Sequence, residues 1–303
     1  MELDFHTLDV FTERRFAGNP LAVVHGADGL DTSAMQAIAR EFNLSETVFL
    51  QKADNPAHSA KIRIFTPAAE LPFAGHPTVG TAILLAELRM GSALGDNDSL
   101  VVLEENIGTV RVGVRLRQGQ PAYAEFDAPM LPEDNGVPAN LELLASAIGL
   151  EPSELGFANH KPTQYSAGSS VTFLPVRSLA AVARATVHTA RWTEAFANSK
   201  SRMVYVYCRE TIASSSSFHA RAFAPALGVV EDPATGSAAA AFAGAVHHFD
   251  GLRDGHHKRI IEQGFEMGRP SHIELGMEVN GGKLTSVRIG GSAVRVTSGR
   301  LSI

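Results

Sequence analysis

The sequence lacks several features that mark common protein classes. Its 303 residues contain one cysteine, Cys208, so neither an intramolecular disulfide nor a cysteine-based metal cluster is possible. No Gly-x-Gly-x-x-Gly or Walker sequence follows a predicted strand, which argues against a dinucleotide or ATP site. No hydrophobic run approaches the length of a membrane span, and the residues from Met1 to Asp4 do not resemble a signal peptide. We therefore expect a cytoplasmic protein with no membrane partner.

Charge and composition narrow the class further. The formal net charge is -6, and no basic patch with interleaved aromatic residues is present, which argues against a nucleic-acid partner. Hydrophobic residues make up 45% of the chain and charged residues 19%, which is enough apolar material for a sizeable core. Predicted strands outnumber predicted helices and do not alternate with them. The pattern therefore indicates an α+β fold of two antiparallel, barrel-like curled sheets.

One stretch organises the rest of the sequence. A strand that ends at Thr66-Pro67 is followed by a loop, and a helix over residues 76–90 begins at Gly75-His76. This arrangement directs unpaired backbone N–H groups and the positive end of a helix dipole at whatever lies above Gly75. A small anion, most simply a carboxylate, is the expected ligand.

The same pattern recurs half a chain later. Arg63-x-Phe-x-Pro67 matches Arg221-x-Phe-x-Pro225, and Gly75-His76 then matches Gly236-Ser237 at a slightly larger spacing. Such a repeat is either chance similarity of short Pro/Gly loops or a duplicated architecture. On the second interpretation, a second helix over residues 236–248 is also surrounded by its own sheet, because Ala, Thr and Gly leave room for close packing.

Two polar residues of the N-terminal part have alternative interpretations. Asn19 either caps the turn Phe16–Pro20 or contacts a substrate from a loop. Glu46 is either a surface charge at a strand start or a partly desolvated carboxylate between apolar segments. In the second case its pKa would be raised, as a proton-shuttling acid/base requires.

Three residues at the helix starts are similarly ambiguous. His76 is either structural or a neutral imidazole, since a helix N-terminus disfavours the protonated form. Asp232 and Ser237 are either turn and cap residues of the second helix or, with the N–H of Gly236, part of an anion site. Four further histidines, His247, His248, His256 and His257, lack a recognised ligand spacing, so we expect no metal.

Taken together, the motifs resemble the phenazine-biosynthesis PhzF-like family, which has the diaminopimelate-epimerase-like fold. The resemblance covers essentially the whole chain. The segments that carry it are Asn19-Pro20, Leu44-Ser-Glu-Thr-Val-Phe49, Arg63-x-Phe-Thr-Pro67, Leu71-Pro-Phe-Ala-Gly-His-Pro-Thr78, Glu231-Asp-Pro-Ala-Thr-Gly-Ser237 and Gln263-Gly264 with Met267-Gly-Arg-Pro-Ser271.

The resemblance implies two pseudo-symmetric halves, each a curled sheet around a central helix, with the active site in the cleft between them. We place the halves at residues 1–120, with the strand 292–303 as a candidate addition, and at residues 121–291. It also implies a homodimer without a cofactor that acts on a small carboxylate-bearing metabolite.

The same resemblance implies specific roles. Glu46 is similar to the family's acid/base, and His76 and Asp232 to its companions. The carboxylate-binding groups correspond to Gly75, Gly236 and Ser237, with Asn19 as a further contact. The namesake reaction isomerises trans-2,3-dihydro-3-hydroxyanthranilate, and Glu46 would move its proton between two ring carbons. Alternatives are a non-catalytic binding protein and an epimerase; the latter is disfavoured because related epimerases carry a cysteine at each helix start, where this sequence has Ala74 and Thr235.

Overall fold

The chain divides into two compact units. The computed structural model describes residues 2–91, 95–138, 140–197, 199–201 and 203–303. One unit contains residues 1–127 and 289–303, and the other contains residues 128–288. The predicted second half began at residue 121, but the strand Ala122–Asp127 pairs antiparallel with the strand Gly108–Leu116 and lies in the first unit.

The first unit is a closed barrel of eight strands. Seven of them are β1 (Glu2–Val10), β2 (Asn19–Val24), β3 (Glu46–Gln51), β4 (Ala60–Phe65), β6 (Asn97–Glu105), β7 (Gly108–Leu116) and β8 (Ala122–Asp127), and the short β5 (Glu70–Leu71) lies outside the ring. The last strand of the chain, β17 (Lys283–Ser302), pairs with both β1 and β8 and closes the ring, to which β5 is an appendage. A closed ring leaves no unpaired sheet edge.

Two helices belong to this unit. The outer helix α1 (Thr32–Phe42) packs Met35, Ile38 and Ala39 against the sheet. The helix α2 (Gly75–Met90) contacts β1, β2, β3, β6, β7 and β8, and nearly all of its first twelve residues are buried. A helix buried on all sides must be apolar and slim, which explains its Gly, Ala, Thr and Val content.

The second unit repeats the plan with additional helices. Its strands are β9 (Glu133–Gly136), β10 (Thr163–Ser166), β11 (Ser170–Pro175), β12 (Met203–Cys208), β13 (Phe218–Ala224), β14 (Val229–Asp232), β15 (Gly255–Gln263) and β16 (Ser271–Asn280). Its helices are α3 (Leu141–Ala147), α4 (Leu179–Arg184), α5 (Thr189–Phe196) and α6 (Gly236–Asp250). The helix α6 is the counterpart of α2, and its Phe242 packs among the rings of Phe173, Tyr205, Tyr207 and Phe218.

A repeated ion pair supports the duplicated architecture. Arg63 on β4 makes a bidentate pair with Glu70, through N–O distances of 2.7 and 2.6 Å. Arg221 on β13 makes the equivalent pair with Glu231, at 2.7 and 2.8 Å. In each unit the pair ties a strand to the loop that leads into the buried helix. The expected α+β class with curled sheets around a central helix is therefore confirmed, and chance similarity of the two motifs is not the explanation.

Two further findings concern single features. Cys208 is fully buried, and burial raises the pKa of its thiol to about 12, so it is a packed residue rather than a reactive one. Within the described ranges, no helix combines the length and the apolarity that a membrane span requires.

Gly80 tests the close packing of α2 inside the barrel. A Cβ atom at this position would lie 2.7 Å from side-chain carbons of Val10 and Leu21. We expect Gly80→Ala to lower the free energy of unfolding by about 1–3 kcal/mol, although alanine is the better helix former, because overpacking a tight core is costly. Urea denaturation measures this loss.

Gly29→Ala is the matched control, since nothing lies within 4 Å of its added Cβ. It should change the free energy of unfolding by less than about 0.5 kcal/mol. Equal effects at both positions would contradict the tight packing of α2.

Candidate functional site

Parallel strand pairing brings two of the predicted residues to one edge of the first barrel. Asn19 is the first residue of β2 and Glu46 is the first residue of β3. The two strands run parallel, with Leu21 opposite Glu46, so both strands begin at the same edge. Asn19 is fully buried, and the Glu46 side chain is only 13% exposed. Glu46 is therefore not a solvated surface charge.

His76 meets both residues at this edge. Its Nδ1 lies 3.3 Å from Oε2 of Glu46 and 3.2 Å from Nδ2 of Asn19. Because the Asn19 amide nitrogen donates, Nδ1 of His76 is the acceptor and the ring hydrogen lies on Nε2. Asn19 thus donates to the imidazole.

Burial keeps this imidazole neutral. A carboxylate at 3.3 Å would favour the protonated ring, but His76 is only 3% exposed, and burial lowers its pKa to about 3. We take the neutral form as correct, since the cost of burying the cation outweighs one contact at the long end of hydrogen-bonding distance. Burial is the cause of the lowered pKa, and the predicted effect of the helix N-terminus acts in the same direction. Within the part of the chain that the structure describes, Nε2 has no hydrogen-bond partner.

The start of α2 carries its backbone donors next to this histidine. Ala74 is the N-cap and makes no side-chain cap, so Gly75 and His76 present their N–H groups in the first turn. The loop before the helix is held at Thr66, whose Oγ1 accepts from the N–H groups of Ala68 and Ala69. This geometry fits an anion at the helix start.

The start of α6 in the second unit is organised differently. Its N-cap is Thr235, whose hydroxyl donates to Oδ2 of Asp232 at 2.6 Å instead of capping the helix. Asp232 is the last residue of β14 and 7% exposed, so it is not the N-cap of α6. Gly236 and the partly exposed Ser237 are the first two helical residues.

The buried Gln263 holds this arrangement, and the sequence analysis did not assign it a role. Its Nε2 donates to the carbonyl of Asp232 at 2.6 Å and to Oγ1 of Thr235 at 3.0 Å. Its Oε1 accepts from the backbone N–H of Thr235 and from the hydroxyl of Tyr205, both at 3.2 Å. The sequence signal that could have indicated this role is an amide side chain at the end of a strand that contains the apolar pair Ile260-Ile261.

The four C-terminal histidines do not form a site. His247 and His248 lie in the last turn of α6, whereas His256 and His257 lie on β15. Among the described residues, no group of three or more His, Cys, Asp or Glu side chains is arranged to hold a metal ion.

Comparison with known proteins gives consistent matches over the whole length. The family model described as phenazine biosynthesis-like protein matches residues 8–299. An uncharacterized isomerase of Mesorhizobium japonicum is 54% identical over 299 residues, which cover 97% of each chain. The trans-2,3-dihydro-3-hydroxyanthranilate isomerase of Pseudomonas chlororaphis is 36% identical over 297 residues, 98% of this chain and 97% of that protein.

A solved structure agrees at the level of the fold. The phenazine biosynthesis protein of the PhzF family from Bacillus anthracis superimposes with a TM-score of 0.89 at 24% identity, with 100% of both chains covered. At that identity the likeness shows the fold alone.

The neutral state of His76 predicts how stability depends on pH. Its folded pKa of about 3 lies below the ordinary value of 6.5, so below pH 6.5 the unfolded chain binds a proton that the folded chain does not. Stability from this group is therefore full above pH 6.5 and is lost as the pH falls. Between pH 7.5 and 5.5 the wild type should lose about 1.4 kcal/mol more than His76→Asn.

Urea denaturation of both proteins at the two pH values measures this difference. The comparison uses the pH slope and not the absolute stability, so a general loss caused by the substitution does not matter. Parallel slopes would mean that the pKa of His76 is the same in the folded and the unfolded chain, which would contradict the effect of burial.

Proposed function

The chain belongs to the phenazine biosynthesis-like, or PhzC-PhzF, family and is an isomerase; from this premise we propose that it moves a proton within a small carboxylate-bearing metabolite, without a cofactor, and that Glu46 is its single acid/base. A molecule similar to trans-2,3-dihydro-3-hydroxyanthranilate is the proposed substrate. The support is a relative named as an isomerase of that compound, which is 36% identical to this chain over nearly its full length.

One observation carries the assignment of Glu46. Its carboxyl group is largely withdrawn from solvent and lies 3.3 Å from Nδ1 of a neutral, buried His76. A proton-shuttling carboxyl group must be stable both with and without its proton. A carboxylic acid at Glu46 can donate to Nδ1 in place of the Asn19 amide, so this contact suits the protonated form. A neutral ring also does not hold Glu46 ionised, as an imidazolium would.

The proposed reaction needs no net gain or loss of atoms or electrons. Glu46 takes a proton from one carbon of the substrate, and the electron pair left behind shifts through the adjacent unsaturated system. The protonated carboxyl group, held against Nδ1 of His76, then returns the proton to another carbon on the same face. The N–H groups of Gly75 and His76 bind the substrate carboxylate, and the Nε2–H of His76 is available to a further substrate oxygen.

The second unit is proposed to contribute Asp232, Gly236 and Ser237 to the same reaction. The support is the family membership together with the ordered chain from Gln263 through Thr235 to Asp232, which fixes a buried carboxylate at the start of α6. That both helix starts serve one substrate molecule, and that the protein is a homodimer, stay predictions.

A two-thiol epimerase mechanism is not supported. The two helix N-caps are Ala74 and Thr235, and the single thiol of the chain is buried on β12. Neither cap can act as a thiol base, and the proposed proton carrier is the carboxyl group of Glu46.

Glu46→Gln tests the proposal. Glutamine keeps the size and polarity of the side chain but cannot accept a proton from carbon. We expect kcat on trans-2,3-dihydro-3-hydroxyanthranilate to fall by about 10²- to 10⁴-fold with KM changed little, the usual contribution of an acid/base. Steady-state kinetics measures both constants.

Glu41→Gln is the matched control, because Glu41 is an exposed glutamate near the end of α1. It should leave both constants unchanged. A Glu46→Gln enzyme with wild-type kcat would remove Glu46 from the mechanism.

A further inference from the structure

The turn between β6 and β7 fastens the segment that leads into α2. Three consecutive residues, from Glu105 at the end of β6 to Ile107, contact this segment or the first turn of α2. The amide of Asn106 donates to Glu70 at 2.9 Å, and the backbone N–H of Ile107 donates to the carbonyl of Pro72 at 3.0 Å. Glu105, the first of the three, contacts Thr78 in the first turn of the helix, at 2.8 Å between Oε1 and Oγ1. The turn is therefore attached on both sides of Gly75-His76.

Counting hydrogen atoms assigns the direction of these bonds. Oγ1 of Thr78 lies 2.8 Å from the carbonyl oxygen of Ala74 and also 2.8 Å from Oε1 of Glu105. A hydroxyl group has one hydrogen and a carbonyl can only accept. Both contacts are hydrogen bonds only if Thr78 donates to Ala74 and Glu105 donates to Thr78, which requires a proton on the carboxyl group of Glu105.

The surroundings of Glu105 agree with a neutral carboxyl group. The residue is 8% exposed, and burial, the largest influence on its carboxyl group, raises its pKa to about 8. Its second oxygen, Oε2, has no hydrogen-bond partner among the residues described. A buried carboxylate without compensating donors would be costly, whereas a neutral acid is tolerated.

We propose that Glu105 is a positioning residue of this isomerase, which as a neutral acid orients the N–H groups of Gly75 and His76 through Thr78 and the carbonyl of Ala74. The inference rests on the proposed function of the α2 start as the carboxylate site. The neutral form matters for two reasons. An ionised Glu105 would take the hydrogen of Thr78 away from Ala74, and it would add a negative charge within one helical turn of the site where the substrate's negative charge is to bind.

The test compares a neutral replacement with a truncation. Glu105→Gln keeps a donor for Thr78 and carries no charge, so its KM on trans-2,3-dihydro-3-hydroxyanthranilate should lie within about twofold of the wild type. Glu105→Ala removes the donor and should raise KM about tenfold, the effect of one lost hydrogen bond, with a smaller change in kcat. Thr78→Val should match Glu105→Ala, and Thr78→Ser should match the wild type.

Glu104→Ala controls for a merely structural effect. Glu104 accepts from the backbone N–H groups of Asp54 and Asn55, at 2.8 and 2.9 Å, so its loss also disturbs the end of β6. It should lower stability without raising KM. Equal KM values for Glu105→Gln and Glu105→Ala, or the same rise in Glu104→Ala, would overturn the proposal.

Infrared difference spectra test the protonation of Glu105 without any enzyme turnover. At pH 6.5 the wild type should show the C=O stretch of a buried carboxylic acid that is absent from Glu105→Gln, and its absence from the wild type would overturn the proposal. If the wild type does not turn over the substrate, the proposed function fails. Two measurements then still decide this inference. One is the infrared signal of the proton on Glu105. The other is the hydrogen exchange of the Thr78 amide, which Glu105→Ala should accelerate and Glu105→Gln should not.

Discussion

The burial of the α2 start inside a closed barrel is the constraint on which the site depends. Burial keeps the imidazole of His76 neutral, and the neutral ring can lie beside the Glu46 carboxyl group without forming a fixed ion pair. A protonated histidine would hold Glu46 ionised and lower its ability to take a proton. The barrel supplies this environment by surrounding a slim helix with strands, and the parallel start of β2 and β3 places Asn19 and Glu46 beside its first turn.

The duplication supplies two helix starts that are built alike and used differently. In both units an Arg–Glu pair anchors the loop that enters the buried helix. The first unit then presents a histidine and a glutamate, whereas the second presents an aspartate that receives a hydroxyl hydrogen from the N-cap residue. Under the proposed function, the first start carries the acid/base and the second holds the carboxyl group of Asp232 in a fixed position. The polar side chains behind each start, Glu105–Thr78 and Gln263–Thr235, have the same task of fixing backbone groups.

The α+β fold and the two buried helices could be predicted from the sequence. Small apolar residues at helical spacing between Pro/Gly loops are typical of a helix that is packed on all sides. Glu46 and His76 are in contact although thirty residues separate them along the chain, so no local sequence pattern predicts this contact. Only the resemblance to a family indicated that the two residues act together. Gln263 and Glu105 were missed for the same reason, since a buried polar residue on a strand looks like a surface one until its neighbours are known. At α1 the sequence offers two cap-forming residues within one turn, Asp31 and Ser33, and only the structure shows that Asp31 is the N-cap.

The central claim is that one carboxyl group carries the hydrogen from carbon to carbon. The most direct measurement is a single turnover, in ordinary water, of substrate deuterated at the carbon that loses its hydrogen. The account predicts that the wild-type product carries deuterium at the receiving carbon and that Glu46→Gln transfers none. Equal deuterium transfer by the two proteins would contradict it.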